Sequence, residues 1–388
     1  MRITYSVCRR AIVAPLFLAA IGCFVAAGAS AQTEKASGPA STETKADPQF
    51  RPAPAPTPAP SSKTAPTKLS RWFELQTGTT GVRYRSIENS AGVRTASQIQ
   101  DSGQFKARFK FDPRARLTVN ATYSTGNSFT GGWNTTGIGT GAMNNHWYLK
   151  QLYAAWVPIP GVEISYGSMG FVRGESTEIT TYDNDGYLTG ERLSVKRPRE
   201  FYFDEFGVTR AYLGDTSKPS VTNRFSRLFG GRNYYQVFAS KRIGKALALS
   251  ADFTSVSGVS TWHGAATLRT PFARAVDLVR FEQYSRRGGS TAGWGFNAYG
   301  EKTLFKRVTI GFGYATIDPL APTLNADRFA RGKRVYESLS VKVLTDVTLQ
   351  LFYTQALHNT ITIPNKRRLD VIVSYNVLSG LQRLGLFK

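Results

Sequence analysis

Cysteine is almost absent from this chain of 388 residues, and its two examples, Cys8 and Cys23, both fall within the first 31. Those residues read as a secretory leader. Arg2, Arg9 and Arg10 precede an apolar run from Ala11 to Ala27, and Ala29-Ser30-Ala31 is a small-residue cleavage site. Cleavage there leaves a cysteine-free product, which excludes disulfide staples and thiolate chemistry. Lipoprotein processing at Cys23 is the alternative, although the apolar run continues past it. Long apolar stretches are the second absence: beyond the leader no run of 18 apolar residues occurs, so a membrane-spanning helix is unsupported. Histidine is scarce as well. His146, His263 and His358 form no metal-ligand cluster, and the chain has neither a nucleophile elbow nor a phosphate-binding glycine-rich loop. No metal, no cofactor and no enzymatic activity are therefore expected.

Acid is in short supply. Asp and Glu number 26 against 49 Lys and Arg, a formal net charge of +23, and loss of the three leader arginines leaves +20. Such a balance can signal nucleic-acid binding. Export to the cell envelope argues against nucleic acid as a partner and assigns the excess to a basic interior, contacts with anionic lipid headgroups, and exposed basic loops.

What the chain has in quantity is alternation. In the segment LALSADFT, Leu247, Leu249, Ala251 and Phe253 share one parity, while Ala248, Ser250, Asp252 and Thr254 share the other. A period of two means a strand with one apolar and one polar face. The pattern recurs in WHGAATLR, WGFNAYGE and VTIGFGYA, and most sharply in FKARFKF, where Phe105, Ala107, Phe109 and Phe111 oppose Lys106, Arg108 and Lys110. No helical stripe of core length interrupts these segments. A long meander with a polar face must close around that face or expose it, and closure also removes sheet edges. A secreted chain built from alternating segments of about ten residues fits an outer-membrane barrel. A soluble secreted all-β protein is the alternative.

The domain reading is a leader at 1–31, a disordered Ala/Pro-rich periplasmic tether at 32–68, and a barrel at 69–388. The run RPAPAPTPAP at 51–60 is a semi-extended spacer without a core-forming pattern. It reads as a plain tether, with peptidoglycan contact as the alternative. Sixteen strand segments follow, with 14 to 18 as the bracketing counts. The segment YLTGERLSV, expected as the sixth, alternates poorly. Residues 125–145, 172–186 and 214–231 read as long surface loops able to cap or constrict a lumen. Short turns such as Asp112-Pro113-Arg114 and Pro158-Ile159-Pro160-Gly161 belong on the periplasmic side. The fold class is thus all-β, a closed antiparallel transmembrane β-barrel.

From Leu69 onward the chain resembles Gram-negative porins, general or substrate-selective. The run LKQLYAAWVPIPGVEISYGSMGF is similar to phosphate-selective or other anion-selective members. The resemblance implies passive diffusion of small hydrophilic or anionic solutes. As partners it implies outer-membrane lipids, lipopolysaccharide, the barrel-insertion machinery and, as an assembly, a homotrimer. Such proteins commonly finish on an aromatic residue read by the insertion machinery. Here Lys388 follows Phe387, and the best final strand, LDVIVSYNV, ends near Val377.

Parity selects Arg83, Arg85, Lys106, Arg108, Lys110, Arg116 and Arg269 as basic residues lining the pore. A positive lumen enriches anions. The plainer reading is that these cations pair with carboxylates and only solvate the interior. Asp183-Asn184-Asp185-Gly186 with Glu191 lacks the full calcium-loop pattern and reads as an Asx/Gly turn. His263 could serve a barrel lipid hydrolase if a serine met it. A non-conducting structural or adhesive barrel is the other alternative.

Overall fold

The structure is a computed structural model. It describes residues 71–127, 131–175, 187–196, 201–214, 217–269, 275–288, 292–318, 332–358 and 365–384. The leader, the tether, the Asp183–Gly186 turn and the last four residues lie outside this set.

Seventeen strands are described. The chain opens with β1 (Phe73–Glu88), β2 (Arg94–Lys110), β3 (Leu117–Thr125) and β4 (Trp133–Gly139). Next come β5 (Trp147–Ile159), β6 (Val162–Met169), β7 (Leu188–Val195) and β8 (Glu205–Tyr212). A 3-10 helix (Val221–Arg227) leads to β9 (Tyr234–Ile243), β10 (Leu247–Val256), β11 (Val259–Arg269) and β12 (Leu278–Arg287). The chain continues through β13 (Gly293–Leu304), β14 (Val308–Ile317), β15 (Gly332–Lys342), β16 (Val347–Ala356) and β17 (Arg367–Asn376). Helix α1 (Val377–Arg383) follows, capped by the Asn376 side chain, which accepts from Ser379 N at 3.0 Å.

Every pairing is antiparallel, and β17 pairs with β1, which closes the sheet. One strand stays out of the circuit. The lower half of β2 pairs with β3 from Gln104 to Lys110, whereas its upper half pairs with β4 from Gln98 to Ser102. Strand β3 goes on to pair with β5. The wall therefore has sixteen strands, the number the alternation predicts, and β4 sits above β3 as an outgrowth of the 125–145 loop.

Burial explains why the sequence takes this form. On β10 the polar parity is the covered one, with Ser250 at 4% and Thr254 at 7% exposure, and on its neighbour β11 the apolar Trp262 stands 49% exposed. Phe281, Phe312 and Val373 are likewise outward and exposed. This inverts the pattern of a water-soluble sheet. Such a wall is stable only where the outside solvent is apolar. Aromatic clusters mark two levels of the outer surface: Phe105, Tyr123 and Trp147 stack near the long-loop rim, and Phe109 and Phe111 meet edge-on at 5.0 Å near the short-turn rim.

Glycine is required where the wall is crowded. Any Cβ at Gly103 would run into the Trp147 ring that lies over it.

Candidate functional site

The inward parity of neighbouring strands brings charged side chains together, and two such groups are buried. The first lies at the closure of the sheet. Arg85 stands directly opposite Asp370 across β1 and β17, and Arg85 Nε donates to Asp370 Oδ1 at 3.0 Å. Arg368, two residues before Asp370 on β17, donates to Asp370 Oδ2 from Nε at 2.9 Å and from Nη2 at 2.5 Å. Two residues earlier on β1, Arg83 donates through Nε and Nη2 to Gln100 Oε1 at 2.9 and 2.5 Å. Its guanidinium lies 4.3 Å from the centre of the Trp133 ring, which β4 supplies. On β15, Arg334 donates to the Asn365 carbonyl. All four arginines and Asp370 are buried.

The second group faces the lumen about halfway round the wall, on β10, β11 and β12. His263 stands opposite Asp252 in the β10–β11 register. Its Nδ1 lies 3.1 Å from Asp252 Oδ2 and its Nε2 lies 2.8 Å from Glu282 Oε1. Both ring nitrogens are thus taken by carboxylates, an arrangement that offers no base to a serine.

A chain segment is seated beside this group. After β6, residues 170–175 run along the inner wall, where Gln236 Nε2 donates to Val172 O at 3.1 Å and Glu175 N donates to Ser250 Oγ at 2.8 Å. Glu175 also comes within 3.9 Å of Arg280 on β12. At Gly174 the segment lies so close to β10 that a Cβ would collide with the Ser250 side chain. The start of the 172–186 loop is therefore held inside the barrel rather than outside it. The remainder of that loop lies outside the described residues.

The seven basic residues selected by parity fall into four places. Arg83 and Arg85 join the closure cluster. Lys106, Arg108 and Lys110 form a column down β2, where Arg108 Nε donates to Asn120 Oδ1 at 3.0 Å. Glu74 of β1 neutralises part of this column, at 2.9 Å from Lys110 and 3.8 Å from Arg108. Arg116 stands in the turn before β3 and is exposed, so strand parity does not orient it. Arg269 is the last residue of β11 and is exposed at its end.

Sequence reasoning missed Arg368, Asp370, Arg334 and the Asp252–His263–Glu282 group. For the first two the signal was present, because Arg368 and Asp370 occupy the parity opposite Leu369, Val371 and Val373. Their partners were not visible, since pairing needs the cross-strand register.

Among solved structures the chain is similar to OmpF of Salmonella typhi, in a complex with daunomycin. The TM-score is 0.51 at 11% identity, over 78% of this chain and 97% of that one. It is also similar to two variants of the Rh. blastica porin, at TM-scores of 0.51 and 0.50. Both are 13% identical and cover 78% of this chain and 99% of theirs. At such identities the likeness is one of fold: the sixteen-strand porin barrel. No family model and no curated protein matches the sequence.

Proposed function

We propose that the protein is an outer-membrane porin through which small hydrophilic solutes diffuse passively, with a preference for anions. The observation that carries this reading is the inverted wall. A closed sixteen-strand barrel turns its apolar residues outward and its arginines, lysines, amides and hydroxyls inward, and a barrel of that size encloses an aqueous path. The leader delivers the chain to the envelope, the Pro-rich segment 32–68 serves as a periplasmic tether, and a homotrimer is the assembly the fold supports best.

Anion preference rests on charge. Along β1, β2 and β17 the inward side carries Arg83, Arg85, Lys106, Arg108, Lys110 and Arg368 against Glu74 and Asp370, and such an excess lowers the energy of an anion in a confined aqueous path. The carboxylates of the opposite wall set up a field across the lumen, which orients dipolar solutes.

Planar-bilayer recordings test both parts. The purified barrel should give stable channels, and silence from correctly inserted protein would favour a structural or adhesive barrel. Replacing Lys106, Arg108, Lys110 and Arg116 together by Gln should move the reversal potential toward cation preference in a salt gradient at low ionic strength. An unchanged potential would leave those residues as solvation for the wall. Screening over roughly 8–10 Å at ordinary salt makes low ionic strength essential.

A further inference from the structure

The outward face of the wall is mostly apolar, but on β6, β7 and β8 it carries a polar and charged patch. Tyr166, Glu191 and Arg210 stand side by side there across the three strands. Arg210 lies 3.6 Å from Glu191, and its side chain is 63% exposed. The connection between β8 and β9 folds back over this face instead of rising away from the rim. Tyr166 donates through its hydroxyl to Leu228 O at 2.7 Å, and Arg232 Nη2 meets Glu191 Oε2 at 2.9 Å. The Arg227 guanidinium lies 5.0 Å from the centre of the Tyr212 ring.

This outer flap has an unusual composition. Residues 217–232 contain Lys218, Arg224, Arg227 and Arg232 and no acidic residue. With Asp215 earlier in the same connection, and Arg210 and Glu191 of the wall, added, the formal excess is three positive charges. Between the cations the flap presents apolar surface to the outside: Phe225 is 46% exposed and Phe229 is 90% exposed. Tyr166, Tyr212 and Tyr235 place the group at the level of the aromatic belt on the long-loop side, where a bilayer passes from acyl chains to headgroups.

We infer that the flap and the wall beneath it form a docking surface for a phosphorylated glycolipid of the outer leaflet. Phosphate groups meet Arg210 and Arg227, and acyl chains pack on Phe225 and Phe229. Guanidinium groups suit this role because their paired N–H donors match phosphate oxygens. An aromatic side chain exposed beside them at the membrane boundary gains burial only from lipid or protein. A second copy of the chain would also cover Phe229, but it would bring the same basic flap against itself or leave the charge uncompensated. A phosphorylated lipid satisfies charge and apolar surface together. The inference rests on the outer-membrane reading but not on conductance.

The test uses the full mature barrel in detergent, titrated with bisphosphorylated lipid A, with the same lipid after phosphate removal, and with inorganic phosphate, followed by native mass spectrometry. Bisphosphorylated lipid A should be retained, dephosphorylated lipid should bind at least tenfold more weakly, and millimolar inorganic phosphate should fail to displace it. The R210Q/R227Q double variant should lose at least tenfold in affinity. F229S, at a side chain already 90% exposed, should weaken binding with no change in folding. Equal binding by the double variant, equal binding of the dephosphorylated lipid, or a shift of oligomeric state in place of a lipid effect would each overturn the inference. Bilayer conductance of the same variants is expected to stay at the parent level. A silent parent barrel that still binds the lipid would fail the channel reading alone.

Discussion

The arginine cluster at the sheet closure and the histidine cluster on β10–β12 face the same lumen and solve one problem with opposite signs. At the closure, one carboxylate, Asp370, is shared by Arg85 and Arg368, with Arg83 nearby. Across the lumen, one imidazole is shared by Asp252 and Glu282. In both places one side chain is held by two others: Asp370 by Arg85 of the next strand and Arg368 of its own, His263 by one carboxylate from each neighbouring strand. The difference is in what removal of the central group leaves behind. Arginine cannot shed its charge, whereas a carboxylate can take up a proton, so the arginine side depends more heavily on its central partner.

Asp370→Asn should therefore have the largest effect. It takes from the buried Arg85 and Arg368 the carboxylate they share, at a cost of about 3–5 kcal/mol. His263→Gln takes away the central group but leaves Asp252 and Glu282, carboxylates that can take up a proton, and should cost about 1–3 kcal/mol. Urea titration of the folded barrel, read by heat-modifiable mobility on gels, measures both. Equal losses would erase the distinction between the two walls.

A second substitution sharpens the comparison through geometry. Gly174→Ala pushes residues 170–175 off the inner face of β10, on the histidine side only. Single-channel conductance should fall while the unfolding free energy from the urea titration stays within about 0.5 kcal/mol of the parent. Unaltered conductance would mean that the segment does not narrow the path.

The smallest expected effect concerns a carboxylate that belongs to neither wall. Asp112, in the turn between β2 and β3, accepts the Leu117 N–H at 2.9 Å and the Arg114 N–H at 2.8 Å. The Leu117 bond chiefly, with those from Arg114 and Arg116 behind it, holds its carboxyl below the usual range. A depressed value means that the stabilisation is complete above about pH 4 and is lost as the pH falls through the lowered value. The gap in stability between the parent and Asp112→Ala should shrink on acidification. A gap that is constant from pH 7 to pH 3 would show that the charge contributes nothing.

The fold was legible because lipid outside and water inside impose a period of two on every spanning strand. FKARFKF displays that period without interruption, and all sixteen expected segments have a counterpart in the wall. Strand β4 was not legible: WNTTGIG is polar on both parities, since it stands above the belt and borders no lipid. The poor alternation of YLTGERLSV has a related cause. Its outward Glu191 is matched by Arg210 of the wall and Arg232 of the flap, so that stretch of β7 was never required to be apolar. Of the candidate site, the inward orientation of Arg83 and Arg85 could be read from parity. Asp252, His263 and Glu282 could not be joined, because their meeting depends on a register set by turns at both ends of β11.

The contact between Arg85 and Asp370 joins residues 285 apart in the chain. Every other strand pair in the wall forms between near neighbours in sequence, so synthesis and folding can proceed hairpin by hairpin until a single pairing is left. During that interval the chain is a curved sheet with two open edges, each a template for pairing with a foreign strand. The first and last strands thus form a seam, and bringing its two sides together carries the largest chain-closure cost in the molecule. A buried ion pair placed at the seam rewards the correct meeting of the ends and no earlier step. It makes this lock the natural place for a slow folding phase, and a weakened lock the natural starting point for aggregation.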